Sequence, residues 1–382
     1  MTATAFNFAS PLNFLLMNDS LKFKIALTLI PSIGDVLAKK LLAYCGDAEQ
    51  VFKEKRSTLE KIPGIGMHYA QAIVNHRVFA RAEEEMYFLH SHHIQPIFYQ
   101  DSTYPKRLTH CEDSPVMLYF KGNMNLNSEK IISIVGTREA TVYGKTICDK
   151  LIAELAAHRV LIVSGLAYGI DTYAHRAALD HHLSTICVLA HGLDKIYPSA
   201  NKPIANKMLE SGGWLSDFIS GTKPDKENFP RRNRIVAGIS DATIVVESKA
   251  KGGSLITAEI ANSYNRDVFA FPGKIDDDCS VGCNNLIKQH KASLIQSAAD
   301  VIYLLGWEKT AVANAPVQKQ LFIELKPDEE VIVNLLKEKK QLPIDDICLL
   351  CKLPMSTVSS LLLKLEFSGL IKSLPGKVYS LN

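Results

Sequence analysis

The sequence predicts an α/β fold built on a Rossmann-like, doubly wound, mostly parallel sheet, with a small helical module before it and another after it. Three observations carry that prediction. Apolar runs at 131–135, 160–163, 185–189, 243–246 and 268–270 are short and nearly unbroken, as strands buried on both faces must be. Helix-length segments separate them, the alternation that winds a parallel sheet. The 382 residues are 47% hydrophobic and 22% charged, an ordinary globular composition with enough apolar side chain for two or three cores.

Before the sheet, residues 20–92 read as a helical helix-hairpin-helix (SAM-like) module. Its mark is an internal repeat, Ile30-Pro31-Ser32-Ile33-Gly34 ahead of Ala38-Lys39-Lys40-Leu41-Leu42, and Ile62-Pro63-Gly64-Ile65-Gly66 ahead of Ala70-Gln71-Ala72-Ile73-Val74. In each copy a glycine is expected to permit the tight turn, and the following helix N-terminus offers N–H groups that suit a phosphate. Packing alone explains the hairpins equally well, because their turns carry few basic side chains. A turn-rich junction follows at 91–129, where the apolar run 116–120 predicts a strand. The Rossmann-like domain is placed at 93–306, a linker at 307–325 and a winged-helix-like module at 326–382. In that last module, 344–350 and 355–368 form a helix-turn-helix, and 371–381 a two-stranded wing turning at Pro375-Gly376. Its second helix exposes Ser356, Thr357, Ser360 and Lys364 with little other positive charge, so a protein or dimer contact is at least as well supported as duplex reading.

Forty-three Lys plus Arg against 40 Asp plus Glu leave a net charge of +3, so any nucleic-acid surface must come from local clustering. The opening stretch lacks the basic start and small-residue cleavage pattern of a secretory signal, and nothing approaches an uninterrupted membrane-length apolar run. A cytoplasmic protein is expected. The eight cysteines are scattered, and the pairs Cys279/Cys283 and Cys348/Cys351 each lack a second pair at metal-ligand spacing. Reduced thiols, no metal and no cofactor are the expectation.

The first candidate for chemistry is Ser133-Ile134-Val135-Gly136-Thr137-Arg138, followed by Tyr143-Gly144 and a helical stretch. Strand, glycine turn and helix, in that order, aim backbone N–H groups at an anion, and Arg138 adds a planar fork that fits phosphate. One glycine is not a dinucleotide fingerprint, and no acid ends the second strand to read a ribose, so NAD binding is not expected. A second turn, Ser164-Gly165-Leu166-Ala167-Tyr168-Gly169-Ile170-Asp171, and a third, Gly252-Gly253-Ser254-Leu255-Ile256-Thr257-Ala258, are expected to line the same crevice. Beside them in sequence stands Phe229-Pro230-Arg231-Arg232-Asn233-Arg234, read as a basic loop and preceded by Lys223 and Lys226. A ring beside arginines suits a single nucleic-acid strand, stacking a base and holding phosphates. A solvated basic loop is the plainer alternative. His175, Asp171, His191 and Asp194 lack a nucleophile motif around them and read as structural, Asp171 as the cap of a helix beginning near Thr172.

Taken together, Ser133 to Arg138, Ser164 to Asp171 with Ala174-His175, His191-Gly192-Leu193-Asp194 with Tyr197-Pro198 and Asn201, Phe229 to Arg234, Gly253 to Ala258 and Phe271-Pro272-Gly273 resemble the DprA (DNA-processing protein A, Smf) family, in unbroken order over about residues 95–300. The resemblance implies a non-enzymatic protein of natural transformation that binds and protects incoming single-stranded DNA, loads the recombinase RecA onto it, and forms homodimers through the Rossmann-like domain. Carried over onto matching positions, it implies a DNA pocket using Gly136, Thr137, Arg138, Phe229, Arg231, Arg232, Arg234, Gly253, Ser254 and Thr257, with Lys223, Tyr143, Gly165 and Asn233 beside them. That family commonly has Ser where Thr137 stands here, which keeps the hydroxyl. A rival enzyme reading, a nucleoside-monophosphate phosphoribohydrolase of the lysine-decarboxylase-like group, draws on Gly252-Gly253 followed by Thr257 and Glu259. It departs from that group's motif, since Lys251 precedes the glycine pair where the group has proline.

Overall fold

The structure, a computed structural model, describes residues 19–308 and 325–382; the opening segment and most of the expected linker lie outside the described residues. Nine strands form one sheet: β1 (Gln95–Phe98), β2 (Met117–Gly122), β3 (Ile131–Val135), β4 (Leu161–Ser164), β5 (Thr185–Val188), β6 (Gly213–Ser216), β7 (Ala242–Val245), β8 (Asp267–Ala270) and β9 (Ser293–Leu294). Their spatial order is β1-β2-β6-β5-β4-β3-β7-β8-β9. From β6 to β9 all neighbours run parallel, and β1 and β2 add an antiparallel edge. The chain winds outward from β3 to β6, then returns to lay β7 on the other side of β3. Loops leaving the carboxyl ends of β3 and β7 therefore diverge and open a crevice, the position where this class of sheet binds ligands.

Helices cover both faces, which is why the strands lack polar alternation. All five β3 residues are buried. Ile131 and Val135 enter a core with Ile235 and Ala258, whereas Ile132 and Ile134 pack with Leu151, Ile152 and Ala174 on the opposite face. The predicted α/β architecture is the one adopted, but sequence reasoning does not find β1, β6 or β9. In β6 the reason is steric. Gly122, Gly212 and Gly213 let β2 and β6 approach so closely that a Cβ on Gly122 would lie 2.1 Å from the Gly212 carbonyl oxygen. A strand begun by glycine shows no apolar run.

The N-terminal helices include Asp35–Cys45 and Met67–Val74, which start directly after Gly34 and Gly66. The repeat is real, with one correction. The left-handed turn residue is Gly64 in the second copy (φ 85°) but Ser32 in the first (φ 66°), so only one copy uses glycine there. Asp35, the first residue of its helix, accepts the Val116 N–H at 2.9 Å and the Arg234 guanidinium at 2.9 Å, so the first hairpin faces the sheet domain at this point.

At the other end, Pro327–Lys339, Ile344–Cys351 and Met355–Phe367 pack around Ile332, Leu336, Ile347, Val358 and Leu362, against a small sheet of β10 (Gln341–Pro343), β11 (Ile371–Leu374) and β12 (Val378–Leu381). This is a winged helix. Lys364 on its third helix is bound to Glu329 at 2.6 Å. Its wing tip meets the sheet domain, where Arg266, 4% exposed, donates to the Pro375 carbonyl at 3.1 Å. Among the described residues no single helix is long and apolar enough to cross a membrane.

Candidate nucleic-acid interface

At the switch point lies a crevice of about 670 Å³ lined by Gly136, Thr137, Arg138, Gly165, Phe229, Arg232, Asn233, Gly253, Ser254 and Thr257, together with residues of the same loops. Each wall has a local cause. The turn after β3 is held by the Thr137 N–H donating to the Glu247 carbonyl at 2.8 Å, and Gly136 is needed because a Cβ there would lie 2.5 Å from Ile170. Glu247 in turn accepts from the Thr141 N–H at 3.0 Å and from its hydroxyl, fixing the start of the next helix. The third turn leads into the helix Gly253–Ser263, which no side chain caps, so its first N–H groups are left for an anion. The Ser254 hydroxyl is spent on Ser248 at 2.9 Å and braces that turn.

The arginine-rich segment corrects one expectation: it is a helix, Asn228–Gly238, not a loop. A period of 3.6 residues separates its side chains. Phe229, Arg232, Asn233 and Val236 face the crevice. Arg231 and Arg234 point away, toward Asp35 and Asp217. Arg234 donates to Asp217 at 2.7 Å and Asp35 at 2.9 Å, and also to the Asp113 carbonyl. Burial alone would lower this guanidinium, but the two carboxylates push it up above its ordinary value. Arg231 is half-exposed and lies 3.6 Å from Asp217. Neither lines the crevice, because the acids claim that face of the helix.

Two further expected contacts also lie elsewhere. Tyr143 donates its hydroxyl to the Pro272 carbonyl at 2.6 Å, outside the lining, and Lys223 gives its place there to Pro224 and Lys226. Gly165 lines the crevice for a steric reason. A Cβ there would sit 1.8 Å from Arg232 Nη1, so the missing side chain is the space the guanidinium occupies.

Arg232 forms the floor. It is 5% exposed and donates to the Val188 carbonyl at 2.7 Å, while its Nε is buried without a partner among the described residues. Burial pulls its guanidinium below the ordinary value, Asp171 opposes that, and nearby Arg138 adds to it. Asp171 does not cap the helix Ile170–Asp180, which begins after Gly169; its carboxylate accepts the Gly165 and Ala167 N–H groups at 3.1 and 3.4 Å and shapes the second turn. At the lip, the Arg138 guanidinium stands 5.6 Å from the centroid of the Phe229 ring, and Tyr197 lies 6.3 Å from the same ring. Tyr197, Lys226, Lys249 and Lys251 line the crevice and are missing from the predicted site. Lys249 and Lys251 stand directly before the third glycine turn and Lys226 just before the 229–234 segment; Tyr197 enters only within a motif of the resemblance, and nothing local to it points to the crevice.

Of the acid–base candidates, Asp171 reaches this lining, whereas His175, His191 and Asp194 do not. His175 is fully buried with Nδ1 2.7 Å from the Thr185 hydroxyl, and burial drives it down to about 3, so it stays neutral. His191 bonds the Gly192 carbonyl at 2.8 Å. Glu259, on which the hydrolase reading drew, pairs with Lys291 at 2.5 Å and is not part of the crevice.

Residues 95–306 match the family described as DNA recombination-mediator protein A, and residues 318–377 match the DprA winged helix domain. Protein Smf of Synechocystis sp. is 32% identical over 95% of this chain and 99% of its own. DNA processing protein DprA of Streptococcus pneumoniae is 44% identical over 53% of this chain and 71% of its own. Among solved structures, S. pneumoniae DprA superposes with a TM-score of 0.60 at 35% identity, covering 74% of this chain and 95% of that one. DNA processing protein A of Helicobacter pylori, whose structure concerns its single-stranded DNA binding mode, gives 0.51 at 31% identity over 56% and 98%.

Two outcomes are expected from the split helix. Arg234→Ala removes the partner of buried Asp217 and should lower unfolding free energy by about 3 kcal/mol in urea titration, while Arg231→Ala should cost less than about 1 kcal/mol. Equal losses would dismiss the assignment. Gly165→Ala should leave a folded protein whose affinity for an oligonucleotide falls about tenfold, because displacing Arg232 removes a charge-assisted contact; unchanged binding would show that the floor plays no part.

Proposed function

The chain belongs to the DNA recombination-mediator protein A (DprA/Smf) family, and we propose that its crevice grips single-stranded DNA. Phosphates are held by Arg138, Lys226, Lys251 and the N-terminus of the helix Gly253–Ser263, with an unstacked base against Phe229 and Tyr197. The observation that carries this reading is Arg138 standing over the Phe229 ring at 5.6 Å, in the same crevice as Arg232. One lip thereby offers a cation and a π-face together, the pair that single-strand grooves combine. The family's role extends the reading. The protein protects incoming strands during natural transformation, loads RecA onto them, and acts in the cytoplasm as a homodimer joined through the sheet domain at 93–306, catalysing no reaction itself.

The test is affinity for oligo-dT at two salt concentrations, against a duplex of equal length. Duplex should bind more weakly, because its bases are not free to stack. Arg138→Ala, an exposed position, should fold normally, bind oligo-dT about tenfold more weakly and flatten the salt slope by roughly 0.7 in log–log terms. The same variant should fail to speed RecA assembly on the strand. An unaltered titration would remove the basis for the reading.

A further inference from the structure

Besides the exposed cations and the ring at its rim, the crevice has a buried cation at its floor, Arg232. That side chain is 5% exposed, one N–H is committed to the Val188 carbonyl, and Nε is buried with no hydrogen-bond partner among the described residues. No carboxylate forms an ion pair with it among the described residues, and the nearby Asp171 carboxylate is engaged by two backbone N–H groups. A buried cation without a contacting anion costs several kcal/mol unless a ligand supplies the missing charge. Lys249 is bound to Glu139 at 2.5 Å, whereas Arg138, Lys226 and Lys251 form no ion pair among the described residues, so the crevice keeps a surplus of positive charge. Its volume of about 670 Å³ falls in the range of small-molecule sites.

We propose that this crevice is a compartment for one nucleoside 5′-monophosphate, with the phosphate between Arg138, Arg232 and the N-terminus of the helix Gly253–Ser263 and the base against Phe229 and Tyr197. The inference rests on the DNA-binding reading of the same crevice and adds a ligand class to it. A phosphate monoester carries about −1.5 to −2 charges at pH 7, against one for the diester inside a strand, so it better neutralises a floor arginine together with a rim arginine. The chemistry has two sources, a free nucleotide or the 5′-phosphorylated end of a strand. In either case nucleotides compete with strand interiors for the crevice.

The experiment displaces a labelled 5′-hydroxyl oligo-dT from the full chain with dTMP, its methyl phosphate ester, thymidine, or the same oligonucleotide bearing a 5′-phosphate. Expected is displacement by dTMP about tenfold better than by the methyl ester and better still against thymidine. A 5′-phosphate that tightens the oligonucleotide while dTMP fails to compete supports the same site with a strand end as its source. Arg232→Met keeps the bulk and should erase the advantage of dTMP over its ester. Should that variant not fold, the ester comparison on the unaltered chain decides alone. If dTMP, ester and thymidine compete equally or not at all, and the 5′-phosphate changes nothing while oligo-dT binds, the inference falls and the DNA reading stands. If oligo-dT itself does not bind, both fall.

Discussion

The helical period of Asn228–Gly238 is the constraint on which the site depends. One turn and a half of chain carries a ring and three arginines, and helix geometry sends them to opposite destinations. Arg232 must be buried at the crevice floor if Arg234 is to reach Asp217 and Asp35, because the two lie on opposed faces. The helix therefore couples the crevice floor to the packing of the N-terminal helices. A rotation that moved the buried floor arginine would break the bonds from Arg234 to Asp35 and Asp217.

Topology supplies the rest of the preorganisation. Reversal of winding between β3 and β7 leaves a gap that no crossover fills, and the three glycine turns close in on it from separate strands. Their glycines are not interchangeable. Gly136 makes room for Ile170 and Gly165 for a guanidinium, whereas a Cβ on Gly253 would meet nothing within 4 Å. The first two are packing solutions that happen at the site. The third crowds nothing and stands at a helix N-terminus that no side chain caps among the described residues.

This contrast explains what was legible in the sequence. Buried parallel strands announce themselves as apolar runs, and glycine turns at their ends announce a crevice, so the sheet and Gly136, Arg138, Phe229 and Gly253 could be read directly. Side-chain direction could not. Treating 229–234 as a loop made its arginines equivalent, and the acids that decide otherwise, Asp35 and Asp217, lie far away in the chain. Tyr197 escaped for the same reason, since only the folded chain brings it to Phe229. Strand β6 escaped because close approach to β2 replaced the expected apolar residues with glycine.

Charge placement argues for a division of labour along the chain. With a net charge of only +3, attraction for a polyanion must be local, and at the crevice positive groups outnumber their carboxylate partners. The winged helix shows the opposite economy. Its recognition-helix lysine is neutralised by Glu329, its wing tip is docked on Arg266, and Leu363 and Phe367 are exposed at 54% and 83%. That face of the helix Met355–Phe367, with its one lysine paired and apolar side chains outward, is poorly suited to phosphates. Positive charge without carboxylate partners among the described residues is thus concentrated at the carboxyl ends of the sheet, while Arg266, just ahead of β8, anchors the terminal module at the amino ends.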